Sequence, residues 1–161
     1  MVDAGGTMRY RVIPIPTQLT QRVRESGKAP GYGHAAERSI AGPDGYGPCR
    51  HCLRRTREGE GRLLFNYNPY HGMDEVPVVG PIFVHEQACE PYREEGFPTE
   101  LRGLPLVAQG HFLKGAGLLN QVVDSDAPEH AIESLLNDPQ VAFITLRNAE
   151  AGCFVARVER G

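Results

Sequence analysis

LVAQGHFLKGAGLLNQVVDSDAPEHAIESLLNDPQVAFITLRNAEAGCFVARVER, Leu106–Arg160, is the stretch whose patterning decides the fold. Leu106–Leu113 and Leu118–Asp124 are strand-like runs on either side of Lys114-Gly115-Ala116-Gly117, which reads as a hairpin turn. Asp126-Ala127-Pro128-Glu129 opens a helix, with Asp126 as the cap and Glu129 reaching back as in a capping box. Ala131, Ile132, Leu135 and Leu136 form the apolar stripe of that helix, and Asn137-Asp138-Pro139 ends it. Val141–Arg147 and Cys153–Arg160 form a second hairpin. In its last strand, alternation puts Phe154, Ala156 and Val158 on one face and Cys153, Val155, Arg157 and Glu159 on the other. The order strand–strand–helix–strand–strand predicts an α+β fold with a mostly antiparallel sheet.

Upstream the elements are shorter. Tyr10–Pro16 reads as an edge strand, because Pro14 cannot donate to a ladder. Thr17 can cap a helix running to Ser26, with Leu19 and Val23 on one face and Gly27 as its stop. Residues 27–48 are rich in Gly, Pro and Ala, with a short strand at Glu37–Ile40. Arg62–Tyr67 and Val78–His85 are strand-like, and a helical turn is expected after Pro98. These readings give a single α+β domain over 9–161, with two principal helices and long Gly/Pro-rich loops. A disordered extension, 1–8, precedes it.

The chain has 161 residues, one domain by length, and its 19 Gly and 13 Pro agree with short elements and long connections. A formal net charge of −3 gives no overall basic field for nucleic acid or anionic lipid. The N-terminus is neither basic nor followed by an apolar stretch, and no run of eighteen apolar residues exists. The expectation is a cytoplasmic chain that does not enter a membrane and keeps its cysteines reduced.

Reduced cysteines direct attention to metal or thiol chemistry. Pro48-Cys49-Arg50-His51-Cys52-Leu53 holds a C-x-x-C, and Val84-His85-Glu86-Gln87-Ala88-Cys89 an H-x-x-x-C. Each spacing can aim two donors at one point, so Cys49, Cys52, His85 and Cys89 make a candidate Cys₃His zinc site of the structural kind. The bland alternative treats the cysteines as small apolar residues, with His85 hydrogen-bonded at a strand end. A third reading is a thiol enzyme or redox protein, with Cys52 or Cys89 as nucleophile and His51 or His85 as base. Whether the chain is an enzyme stays open.

Arg50, Arg54 and Arg55, with Arg57 and Arg62, form a basic stretch near Tyr46, Tyr67 and Tyr70. Arginine beside aromatic rings suits phosphate gripping and base stacking. Arg50, Arg54, Arg55, Tyr67 and Tyr70 are therefore candidate ligand-binding residues, against the plainer reading of a solvated turn. Nucleic acid ranks low as a partner because the chain as a whole is acidic. Cys153 reads as a buried structural cysteine, with a nucleophile beside His111 or Asn148 as the rarer alternative. The phosphate-cradling, nucleophile-elbow and H-E-x-x-H signatures are absent.

The segments Pro48–Leu53, Gly80-Pro81-Ile82-Phe83-Val84-His85 with Cys89, Arg147-Asn148-Ala149 and Gly152-Cys153-Phe154 resemble, in that order, a bacterial family catalogued as domain of unknown function 1203. The resemblance runs from about Tyr10 to Arg160. It implies a small stand-alone bacterial protein and carries no catalytic or ligand residues to transfer. Without the zinc ion no cofactor is expected.

Overall fold

The computed structural model describes residues 8–45, 47–69, 80–114 and 118–161. Most of the expected N-terminal extension, residues 1–7, lies outside them, as do Tyr46, Tyr70 and the turn residues 115–117. The chain divides into two compact units, one of Pro14–Tyr92 and one that joins the N-terminal strand to Arg93–Gly161.

In the second of these, β1 (Tyr10–Ile13), β5 (Leu106–Phe112), β6 (Leu118–Val122), β7 (Val141–Asn148) and β8 (Phe154–Arg160) form one antiparallel sheet. Their order is β1-β8-β7-β5-β6, so β1 is an edge strand, as Pro14 predicts. A short 3-10 turn, Thr99–Leu101, follows Pro98.

Helix α2 (Pro128–Leu136) buries Ala131, Ile132, Leu135 and Leu136, the stripe visible in the sequence. The sheet face toward it carries Val12, Leu106, Ala108, Ile144, Leu146, Ala156 and Val158, all buried. Gly110 lies on this face, where a Cβ would come within 3.1 Å of Val141 and 3.3 Å of Leu135. The helix is not capped as expected. Ala127 is the N-cap and makes no side-chain bond, while the Asp126 amide donates to Asp124 Oδ1 at 2.9 Å. Glu129 pairs with Arg102, an ion pair that competes with any reach back toward the helix start. The far end is closed by Arg160, whose guanidinium donates to the carbonyls of Leu136 and Val141 at 2.6 Å and Asp138 at 3.0 Å. A cation on the last carbonyls of a helix satisfies orphan acceptors and favours its dipole.

The strict alternation expected of β8 breaks near its start. Leu146 faces Ala156 but Arg147 faces Phe154, so Val155 is the extra residue of a bulge. Phe154, Val155 and Ala156 are consequently all buried. The opposite sheet face carries a polar network. His111 stacks on Phe143 with centroids 4.5 Å apart, and its Nε2 lies 2.9 Å from Thr145 Oγ1. Arg147 donates to Gln109 Oε1 and to the Gly152 carbonyl, each at 2.7 Å.

The Pro14–Tyr92 unit contains α1 (Thr17–Ser26) and a three-stranded antiparallel sheet. Its strands are β2 (Glu37–Ile40), β3 (Gly61–Tyr67) and β4 (Gly80–His85), in that order. Leu63, Phe65, Ile82 and Val84 are its buried apolar strand residues among those described, and His85 at the end of β4 is buried as well. Helix α1 ends where the sequence indicates, with Gly27 at φ 65° and its amide bonded to the Val23 carbonyl. Its start differs: Pro16 is the N-cap, and the Thr17 hydroxyl is turned to His51 instead of capping the helix. The fold is thus α+β with antiparallel sheets and two principal helices, and none of the described helices is long and apolar enough to cross a membrane.

Two measurements test this packing. Gly110→Val puts a better strand former into β5 but forces Val141 and Leu135 apart, so urea unfolding is expected to show a loss of about 1–3 kcal/mol. Burial first, then Arg147 and Arg157, lowers His111 to about 4. The unfolded chain therefore takes up this proton first as pH falls below about 6.5. Stability is expected to drop by on the order of 2 kcal/mol as the pH falls from there to about 4. His111→Gln should show a correspondingly flatter pH profile, and a parallel profile would refute this assignment.

Candidate metal centre

The centre begins with a turn. Pro48 and Arg55 face each other in an antiparallel bridge. Inside it the Cys49 amide donates to the Arg54 carbonyl at 2.9 Å, and the Leu53 amide to the Cys49 carbonyl at 2.8 Å. Leu53 closes the turn at φ 56°, in the left-handed region. For a residue with a Cβ that conformation costs on the order of 1 kcal/mol and persists only where its surroundings enforce it. The Leu53 side chain is buried, which supplies the enforcement.

Three backbone bonds attach this turn to its neighbours. The Arg50 amide donates to the Phe83 carbonyl of β4 at 3.3 Å, and the Ile15 amide to the Arg50 carbonyl at 3.0 Å. The Tyr92 amide donates to the His51 carbonyl at 3.1 Å. This last bond returns the irregular chain after β4 to the turn, and with it Cys89.

The result is a convergence of Cys49, Cys52, His85 and Cys89, whose ligand atoms all lie within 4.8 Å of one another. Cys49 Sγ is 3.9 Å from Cys89 Sγ, and Cys52 Sγ is 3.5 Å from His85 Nδ1. The first three residues are buried and Cys89 is half-buried. Such a group can hold a metal ion.

A second ring of groups surrounds the sulfurs. The His85 amide donates to Cys49 Sγ at 3.4 Å, and the Cys52 amide also bonds to that sulfur. Arg24 of α1 donates through Nε to the His85 carbonyl at 3.1 Å and through Nη2 to Cys89 Sγ at 3.4 Å. His51 Nδ1 lies 3.4 Å from Cys89 Sγ, and its Nε2 lies 2.9 Å from Thr17 Oγ1. Glu60 Oε2 is 3.2 Å from His85 Nε2, within ion-pair range but not aligned as a hydrogen bond.

The charges follow from these contacts. Hydrogen bonding from Cys52, then Cys89, holds the Cys49 thiol far below its ordinary range. Its bonds to Cys49 and then Cys52 push Cys89 the other way, well above that range. Cys49, then Cys52, outweighs burial and raises His85 to about 10. Burial opposes ionisation of Glu60, yet the Arg57 amide and His85 lower its carboxyl. Without a metal, then, negative charge collects on Cys49 and a proton is held at His85.

A cavity of about 700 Å³ opens beside the cluster, and its lining includes Arg38, Arg54, Glu60, Glu86 and the ligand candidates His85 and Cys89. Of the arginine–tyrosine candidates, Arg54 is exposed on this cavity, while Arg55 and Tyr67 are half-buried. Arg50 is turned inward: it is buried, donates to the Pro48 carbonyl at 2.7 Å and lies 4.8 Å from the Phe83 ring centroid. Arg62 lies 5.0 Å from the same centroid. Tyr70 is outside the described residues. Cys153 is half-buried and forms no part of the four-residue group.

The sequence reading missed Arg24, Thr17 and Glu60 around the cluster. Arg24 and Thr17 reach it from α1 and Glu60 from just before β3, at sequence distances that no short motif records. His51 was visible inside the C-x-x-C, but its contact with Cys89 was not.

No protein of curated function and no solved structure matches the chain. A family model described as protein of unknown function (DUF1203) matches residues 46–160, from the C-x-x-C turn through β8. The match takes in all four converging residues, and the chain belongs to that family.

Proposed function

We propose that Cys49, Cys52, His85 and Cys89 hold a structural zinc ion, and that the chain is a non-catalytic binding protein whose irregular Pro14–Tyr92 unit is organised by that metal. The observation that carries this reading is the spacing of the donors. Zinc bonds of about 2.3 Å to sulfur and 2.0–2.1 Å to nitrogen, at tetrahedral angles, imply edges of about 3.8 Å between sulfurs and 3.6 Å between sulfur and nitrogen. Here one sulfur pair, Cys49–Cys89, is 3.9 Å apart and one sulfur–nitrogen pair, Cys52–His85, 3.5 Å, and all four donors lie within 4.8 Å of one another.

The chemistry of the donors agrees with that spacing. Three thiols and one imidazole suit zinc, and four protein ligands leave no open position for a reacting water. Glu60 at the outer nitrogen of His85 matches the carboxylate partner that metal-bound histidines commonly have. Backbone amides and Arg24 directed at sulfur stabilise thiolate charge. A ligand or partner would meet the cavity beside the centre, whose lining carries Arg54 and an Arg38–Glu86 ion pair alongside Glu60 and Glu90.

One observation favours a second reading, a thiol enzyme. Cys89 borders the cavity, His51 is within 3.4 Å of its sulfur, and Thr17 orients the far side of the ring. That is the arrangement of a nucleophile, a base and an orienting group. Arg50 and Arg62 gather on Phe83, so the basic stretch offers less to nucleic acid than its composition indicates.

Elemental analysis of protein purified without added metal is expected to give about one zinc per chain. Cys153 should then alkylate readily, while Cys49, Cys52 and Cys89 react slowly until the metal is chelated. A metal-free protein with one fast-reacting Cys89 would instead favour the enzyme.

Further expectations concern affinity. Zinc uptake displaces the proton held on His85, so competition titrations should show binding weakening as pH falls. Glu60→Gln is expected to lower zinc affinity about tenfold by removing the carboxylate behind His85. Unchanged affinity would show that Glu60 plays no part in orienting the ring.

A further inference from the structure

The four ligand candidates are not equivalent. Cys49, Cys52 and His85 are 0%, 4% and 6% exposed, whereas Cys89 is only half-buried and lines the 700 Å³ cavity. The other two sulfurs are held in the bridged turn and His85 ends a strand. Cys89 sits in a segment without regular structure, fixed on its far side by the Tyr92 amide. Its sulfur faces Arg24 Nη2 and His51 Nδ1, each at 3.4 Å, and Cys49 Sγ at 3.9 Å. An accessible sulfur beside an arginine donor and an imidazole, with a second thiol close by, is the arrangement of an oxidisable cysteine and its resolving partner.

We propose that Cys89 is a site of oxidation by hydrogen peroxide, and that its disulfide with Cys49 releases the metal. This inference rests on the zinc reading above and assigns that site a response to oxidant. A zinc-held Cys89 would be a thiolate, unlike the thiol of the metal-free cluster, and in the first step its sulfur attacks one peroxide oxygen and the O–O bond breaks. The products are a sulfenic acid on Cys89 and hydroxide, which takes a proton to become water. In the second step the Cys49 sulfur attacks the sulfenyl sulfur, the S–S bond forms, and the departing hydroxide becomes a second water. Together the two sulfurs lose two electrons and the peroxide gains them. Two thiolates, one peroxide and two protons give one disulfide and two waters.

The order of events follows from access. A Cys49–Cys52 disulfide would require peroxide to reach a sulfur buried in the turn before it met the one on the cavity. Closing Cys89 onto Cys49 needs the sulfurs to approach by about 1.9 Å, from 3.9 Å to the bond length of about 2.05 Å. The irregular segment carrying Cys89 can supply that movement. Afterwards only Cys52 and His85 remain as donors, and two ligands do not make a closed zinc site.

The test treats the full chain, loaded with zinc, with graded hydrogen peroxide. Zinc release is followed with a chromogenic chelator, and cysteine states by alkylation and peptide mass mapping. Two thiols should be lost for each zinc released, with the disulfide mapping to Cys49–Cys89 and both changes reversed by dithiothreitol and added zinc. In Cys89→Ser, oxidation of Cys49 and Cys52 should slow at least tenfold, whereas Cys153→Ser should leave metal release unchanged. If Cys89→Ser does not fold, the order of modification in the unaltered chain decides, with Cys89 expected first.

A Cys49–Cys52 disulfide, sulfinic acid at Cys89 without a disulfide, or oxidation confined to Cys153 would overturn the proposal while leaving the zinc reading intact. A chain purified without metal would defeat the zinc reading and with it metal release. Mapping in that protein would still decide the Cys49–Cys89 disulfide.

Discussion

Three sulfurs and an imidazole brought to one buried point are the constraint on which the Pro14–Tyr92 unit depends. Thiols make weak hydrogen bonds, and burying several together without a cation wastes the charge that one of them readily carries. Here main-chain amides, an arginine and a second histidine are directed at those sulfurs. That surrounding ring is what thiolates need and what small apolar side chains do not. A central cation would complete the arrangement by linking the turn, the end of β4 and the Cys89 segment, whose donors already lie within 4.8 Å of one another. It would also explain why a stretch so rich in Gly and Pro holds an ordered structure. Glycine loses more conformational entropy on folding than any other residue and brings no side chain to offset the loss.

The unit containing Arg93–Gly161 is stabilised differently. One sheet face is apolar and covered by α2, with Gly110 left bare so that Leu135 and Val141 can approach. Its other face combines stacked rings with one arginine, Arg147, tied to neutral acceptors. Arg160 belongs to β8 yet closes the C-terminal end of α2 by donating to three carbonyls. Helix and sheet are thus joined by a cation as well as by hydrophobic contact. In the other unit the buried apolar residues Leu53, Leu63, Phe65, Ile82 and Val84 are joined by the sulfur cluster.

Legibility in the sequence followed the range of the interactions. Strands β5 to β8 and helix α2 could be read because alternation and the Ala131–Leu136 stripe are local signals. The C-x-x-C and H-x-x-x-C segments could be read because each spacing is short enough to aim two donors. Even local rules failed where a tertiary partner intervened: Thr17 gave up a cap for His51, and Glu129 took Arg102. The bulge at Val155 was invisible because it is defined by pairing with β7, not by β8 alone. Arg24 was hidden for the same reason. It sits 65 residues before Cys89 on a mostly polar helix, and nothing in its own segment marks it as a sulfur ligand's neighbour.

The inequality among the four donors bears on function more than their number does. A site with four protein ligands has no room for substrate at the metal, so catalysis there would require one ligand to leave. Cys49 and Cys52 are locked by the bridged turn, and His85 is anchored by β4 with Glu60 behind it. Only Cys89 combines access, an irregular segment and alternative partners for its sulfur. Metal retention, metal release and thiol chemistry would therefore converge on one residue. The same contacts, His51 and Arg24 on the sulfur with Cys49 behind it, would serve a bound thiolate, a nucleophile or an oxidised cysteine. What separates these roles is whether a cation occupies the space between the sulfurs. While it does, Cys89 is a ligand; once it is gone, Cys89 is the most accessible sulfur of the cluster.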